Sequence, residues 1–148
     1  MNRSELEAYI SEIYSIGGEH LFAKYPSFLV FRHRRNRKWF AVIMDIPRKN
    51  LGMMGEGEIS VVNLKCDTRL IGSFWEEPGI FPGWHMNKAH WLSVALDGTV
   101  EDETIKFLVD MSYELTKKRG SGQPLPHFTY RYKLLKYTLT KILSRYII

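Results

Sequence analysis

Arg32-His33-Arg34-Arg35-Asn36-Arg37-Lys38 sets five permanent positive charges within seven residues. Charges of one sign this close repel each other and add nothing to folding. Arginine offers a planar fork of donors that matches phosphate oxygens. The chemistry the run suits is contact with the backbone of a polyanion, Arg32, Arg34, Arg35, Arg37 and Lys38 each facing a phosphate. The same residues also suit a solubilising loop tip that keeps a strand from pairing with another chain.

A second concentration lies in Pro82-Gly83-Trp84-His85-Met86-Asn87-Lys88-Ala89-His90-Trp91. If Trp84–Asn87 and His90–Leu96 are two strands of a hairpin, His85 and Asn87 share a face and His90 arrives beside them. Two histidines fall short of the three or four ligands of a zinc site, so no metal is expected. With Lys65 and Lys88, His85 and His90 instead make a second anion-contacting surface. Cys66 is a third candidate. It stands just before a predicted helix, where a helix dipole and Lys65 favour a thiolate while Asp67 opposes one. A cleft formed by Lys65, Cys66, His85, Lys88 and His90 would take a small anionic ligand, an alternative that keeps an enzyme or ligand-binding role open. The chain has no Walker A loop, no Gly-x-Gly-x-x-Gly, no His-Glu-x-x-His, no Gly-x-Ser-x-Gly and no Cys-x-x-Cys pair. No catalytic residue and no cofactor is therefore assigned.

Hydrophobic periodicity gives the elements that carry these groups. Ser4 and Glu7 predict a capping box ahead of a helix with Leu6, Tyr9, Ile10, Ile13 and Ile16 on one face, ending at Gly17-Gly18. Ser27–His33 and Lys38–Asp45 predict a hairpin with the basic run at its tip. Its second strand is nearly all apolar and must be covered on both faces or lie beneath a helix layer. Pro47–Gly57 predicts a mobile loop, Glu58–Leu64 a third strand, and Asp67 the N-cap of a helix to about Glu76. The second hairpin follows, and then a helix from Val100 to about Lys118, its inner face Ile105, Leu108, Val109, Ser112 and Leu115 and its acids at the positive dipole end. The order is α-β-β-β-α-β-β-α. This predicts an α+β fold of two layers, helices packed on an antiparallel sheet.

Gly120 to Pro126 reads as a linker. Beyond it Phe128, Tyr132, Leu135, Leu139, Ile142 and Tyr146 form an apolar stripe on a basic amphipathic helix. The domain boundaries expected are therefore 1–119 and 120–148, the second a C-terminal helical extension through which two copies can pair, or another protein can dock. The net charge of +5 is uneven: eight of the 21 basic residues fall within 117–148, where there is no Asp or Glu, and the preceding chain is net negative. One cysteine, no apolar run of about 18 residues and no apolar leader predict a cytoplasmic protein.

Four segments carry a family resemblance: Phe28-Leu29-Val30-Phe31 with Trp39-Phe40-Ala41, then Val62-Asn63-Leu64-Lys65-Cys66-Asp67, then Pro82–Trp91, then Leu96-Asp97-Gly98. Together, over about residues 3–118, they resemble the MmcQ/YjbR-like family. That resemblance implies a fold akin to frataxin-type (CyaY-like) domains, described as a double wing in which hairpins contact DNA. It also implies a bacterial source. The basic run 32–38 suits a wing, and DNA is the partner expected. No helix combines exposed Asn, Gln and Arg for base edges, so sequence-specific readout is not expected.

Overall fold

The structure, a computed structural model, describes residues 1–117 together with Leu139 and Arg145. The chain divides into two compact units, Met1–Lys117 and Lys118–Ile148. The predicted linker and the apolar stripe lie outside the described residues, save that Leu139 is helical and exposed.

The first unit runs α1 (Arg3–Tyr14), β1 (Leu29–Arg32), β2 (Trp39–Pro47), a single 3-10 turn (Arg48–Leu51), β3 (Glu58–Lys65), α2 (Ile71–Phe74), β4 (Ile80–Pro82), β5 (Trp91–Ala95) and α3 (Asp102–Thr116). The predicted order holds. The strands form one antiparallel sheet in the order β1-β2-β3-β5-β4. Long helices α1 and α3 lie on one face. Leu6 and Ile10 of α1 and Ile105 and Leu108 of α3 are buried there against the sheet.

The other face is apolar too. Val30, Val42, Met44, Ile46, Ile59, Val61 and Ala95 make a second core on it. Loops cover it instead of helices: Phe22 and Phe28 come from the α1–β1 connection, Leu51 and Met53 from the Pro47–Gly57 loop, and Trp84 from the β4–β5 connection. This is why β2 reads as an unbroken apolar run.

Phe40 is what lets one strand serve both cores. The β1–β2 register steps from Phe31↔Ala41 to Arg32↔Trp39, so Phe40 is the extra residue of a bulge. Trp39 packs against Phe22 on the loop side, while the Phe40 ring contacts Tyr14, Phe31, His33 and Tyr113 on the helix side. Ser112 of α3 reaches into the ladder beside this bulge: its hydroxyl accepts from the Lys65 backbone N–H at 2.8 Å and donates to the Phe40 carbonyl at 2.5 Å. A buried helix serine thus satisfies two strand groups that would otherwise be unpaired.

Several local expectations are corrected. The capping box uses Asn2 and Glu5, not Ser4 and Glu7: Asn2 Oδ1 accepts from Glu5 N and Glu5 Oε2 from Asn2 N, both at 2.9 Å. Asn caps as well as Ser, and the helix starts two residues earlier than predicted. The helix stops at Tyr14 with Ser15 left-handed (φ 53°), ahead of the glycines, which turns Ile16 inward and leaves Ile13 exposed. The predicted helix from Asp67 to about Glu76 shrinks to the four residues of α2. Its carboxylate is drawn to the Arg69 guanidinium and backbone, and Gly72 and Ser73 are weak helix formers. The second hairpin is shifted: its first strand is Ile80–Pro82, and Trp84–Asn87 is loop. The Trp84 backbone cannot join a ladder because side chains take both of its polar groups. Its N–H donates to Ser93 Oγ at 2.8 Å and its carbonyl accepts from Asn63 Nδ2 at 2.9 Å.

No helix among the described residues is long and apolar enough to cross a membrane.

Candidate functional site

Antiparallel pairing decides which loops meet. The β1–β2 tip stands at the start of β2, and Ala41 of β2 pairs with Leu64 near the end of β3. Lys65 at that end pairs with Trp91 at the start of β5. The tip at 33–38, Lys65 and the loop 83–90 therefore share one end of the sheet. The C-terminus of α3 is there as well, because Thr116 reaches the tip. Glu58, Glu101, Asp102 and Glu103 begin β3 and α3 and so lie at the opposite end.

The tip is anchored from inside. His33 is buried, and its Nε2 lies 2.8 Å from Thr116 Oγ1. That hydroxyl donates to the Ser112 carbonyl, so His33 Nε2 carries the proton and donates to Thr116. Burial lowers the imidazole pKa from its ordinary value, against an opposing contribution from the Tyr113 backbone. Asn36 Nδ2 donates to the Thr116 carbonyl and Asn36 Oδ1 accepts from Lys38 N, closing a turn in which Arg37 is left-handed.

The cations of the tip are not equivalent. Arg32 turns to Glu19 in a two-bond fork, Nε–Oε2 2.7 Å and Nη2–Oε1 2.9 Å. That pair raises the Arg32 pKa and lowers that of Glu19. Arg37 reaches the same carboxylate at 3.6 Å. Arg34 donates to the Ser15 carbonyl at 2.5 Å, capping the C-terminus of α1. Arg35 and Lys38 are exposed. Lys88 is exposed in the second loop, its Nζ 3.3 Å from the Gly83 carbonyl, and Lys65 is half-buried at the end of β3. His85 and His90 are exposed in the same loop as Lys88. Asp67, also at this end, is neutralised by Arg69 at 2.6 Å, which holds its carboxyl below the usual range.

Cys66 does not join the other four members of the anion-ligand cleft. Side chains alternate along β3, so Lys65 shares the loop-covered face with Asn63 while Cys66, just beyond, is buried. The following N–H meets Met111 Sδ of α3. Burial, with Asp67 next to it, pushes the thiol up to about 12. Native protein should thus leave Cys66 unmodified by an aromatic disulfide reagent at about pH 8, with full reaction after unfolding. Rapid labelling of folded protein would contradict this burial. No group of three or more His, Cys, Asp or Glu among the described residues is placed to hold a metal.

An aromatic cavity of about 250 Å³ opens on the loop-covered face beside the cationic end. Phe22, Tyr25, Phe28, Trp39 and Trp84 wall it, over a floor of Val42 and Met44. The rings touch in series: Phe22–Trp39 at 5.7 Å and Phe22–Phe28 at 6.0 Å edge to face, Tyr25–Phe28 stacked at 4.9 Å, and Phe28–Trp84 at 6.4 Å. Two successive turns, Tyr25 N to Phe22 O and Phe28 N to Tyr25 O, bring three of them together. His85 forms the rim in a left-handed conformation (φ 56°), its ring 4.0 Å from that of Trp84. Asn63 is the polar group of the wall. Its Oδ1 accepts from Ser93 Oγ at 2.5 Å, and its Nδ2 donates to Trp84 O. Sequence reasoning passed over Phe22, Tyr25 and Glu19. The signal available was Phe22-x-x-Tyr25-x-x-Phe28, three aromatics at a spacing of three before the first strand.

A family model described as YjbR matches residues 18–115, which include the tip, the loop 83–90 and every wall of the cavity. The uncharacterized protein YyaQ of Bacillus subtilis is 34% identical over 117 residues, 79% of this chain and 99% of that protein. The uncharacterized protein YjbR of Escherichia coli K12 is 54% identical over 33 residues, 22% of this chain and 28% of its own. Among solved structures, the crystal structure of a Pseudomonas syringae protein superposes with a TM-score of 0.78 at 39% identity, covering 79% of this chain and all of that one. A Deinococcus radiodurans protein superposes with a TM-score of 0.61 at 25% identity, over 90% of this chain and 87% of its own.

Proposed function

The chain belongs to the YjbR family, and we propose that it is a non-enzymatic protein that holds duplex DNA by its phosphate backbone at the cationic end of the sheet. The supporting observation is the convergence of separate chain segments on that end: Arg35 and Lys38 from the tip, Lys65 from β3 and Lys88 from the loop 83–90. The two loops act as the two wings. They leave β2 and β5, two strand spacings apart, which is about 10 Å. That matches the scale of a DNA groove, about 6–12 Å wide, so each wing meets phosphates on one side of it.

The roles within the run differ. Arg35, Lys38 and Lys88 carry the phosphate contacts. Arg34 and Arg37 contribute while also bonded within the protein. Arg32 is committed to Glu19 and holds the strand edge in place. His85 and His90 add contacts from the second wing, and Lys65 lies between the wings. Binding of this kind is backbone-dominated and indifferent to sequence.

The test is fluorescence anisotropy of the full chain on two short duplexes of unrelated sequence at about 50 mM salt. Equal affinity for the two is expected. The triple variant Arg35→Gln/Lys38→Gln/Lys88→Gln should bind both weaker by on the order of a hundredfold, whereas Arg32→Gln should change affinity little. Retention of full affinity by the triple variant would remove this interface.

A further inference from the structure

From the cavity and its surroundings, we infer that the aromatic pocket takes one unstacked nucleobase, with the attached phosphate held by the cations at its mouth. This rests on the phosphate-binding reading and adds a second element to it.

Size and shape narrow the ligand first. A volume of about 250 Å³ falls below the ~300–1,000 Å³ of drug-sized pockets. It suits one flat ring system and rejects an extended chain. Five aromatic side chains offer faces for stacking, and Tyr25, 54% exposed, stands open to the solvent side. Every base has a π-face, so such a wall accepts bases without regard to sequence.

Charge narrows it further. None of the residues lining the cavity is acidic, so an ammonium ligand would meet aromatic faces with no counter-charge, near several cations. Lys88 is in the loop that supplies Trp84, His85 and Met86. Lys65 follows Asn63 on the same face, one pleat along. A neutral flat body carrying a negative group fits this arrangement, and a nucleotide is that combination.

Asn63 supplies the polar complement. Its amide is buried in the wall, the nitrogen donating to the Trp84 carbonyl and the oxygen accepting from Ser93 Oγ. Both bonds that orient the amide come from elements flanking the cavity, so the group is fixed before any ligand arrives.

The experiment compares oligothymidylate with an abasic oligonucleotide of equal length, binding to the full chain being followed by anisotropy and by tryptophan emission. Trp39 and Trp84 should be quenched by the thymidylate. The abasic strand should bind roughly tenfold weaker. Tyr25→Ala and Phe22→Ala, both at the cavity and outside the two loops, should erase that difference while leaving duplex affinity unchanged. Equal binding of the two strands, with loss of both in Arg35→Gln/Lys38→Gln/Lys88→Gln, would overturn the base pocket and leave the backbone reading intact. Absence of all binding would overturn both. Saturable quenching by thymidine monophosphate at comparable concentrations would support the pocket and assign its ligand to free nucleotides. Quenching by indole and not by any nucleotide would overturn it in favour of an apolar side chain.

Discussion

Replacing Gly83 by alanine should destabilise the fold by about 3 kcal/mol, read as a lower urea midpoint at unchanged slope. A Cβ at this position would stand 2.7 Å from Trp91 Cβ and 2.8 Å from the Trp91 carbonyl oxygen. Neither atom can yield easily. Trp91 begins β5, which is paired on both sides, and its carbonyl accepts from Gly83 N at 2.9 Å. The clash must be relieved by moving the loop. That loosens the bonds from Trp84 to Ser93 and Asn63 and so disturbs the cavity wall and the loop 83–90 together. Gly72 is the control: nothing lies within 4 Å of its added Cβ, so Gly72→Ala should be neutral or slightly stabilising. Equal stability of the two variants would show that the approach of Gly83 to Trp91 constrains nothing.

Phe40→Ala should cost about 3–5 kcal/mol and should also release the tip. The ring is fully buried and contacts Tyr14 of α1, Tyr113 of α3, and Phe31 and His33. Truncation leaves a cavity where the two helices meet the bulge. It also strips one side of His33, which anchors the tip to Thr116. Urea unfolding gives the first effect. Amide exchange at His33 and Arg37, whose N–H groups close the tip turn, gives the second. A cost below about 1 kcal/mol, or unchanged protection at the tip, would mean that the bulge is not what couples the tip to the helices.

The α+β order was legible because each element has a strong local period or a strong stop. The apolar run 39–44 could only be a central strand, and the acids at 101–103 could only open a helix. What local pattern could not reveal was settled by contacts distant in sequence. Asn63 and Ser93 pair across β3 and β5 and capture the Trp84 backbone, which is why Trp84–Asn87 is loop although its composition suits a strand. Glu19, far from any motif, takes Arg32 out of the exposed charge. Phe22 and Tyr25 lie in a segment with neither helical nor strand period, and two tight turns alone bring them beside Phe28. The cationic end was half visible: the residues of both loops could be named, but their meeting at one end of the sheet follows from the strand order β1-β2-β3-β5-β4. Cys66 shows the reverse case, a residue type suited to chemistry that packing has withdrawn.

The chain has many cations besides those of the tip and the loop 83–90, eight of them within 117–148, so affinity for DNA alone would not locate the proposed interface. The salt dependence of affinity does, when the full chain is compared with Arg35→Gln/Lys38→Gln/Lys88→Gln. Each phosphate contact contributes about 0.9 to the slope of log affinity against log salt, so the variant should be shallower by about 2.7. Equal slopes for the two proteins would place the DNA elsewhere on the chain and contradict the wings as its binding surface.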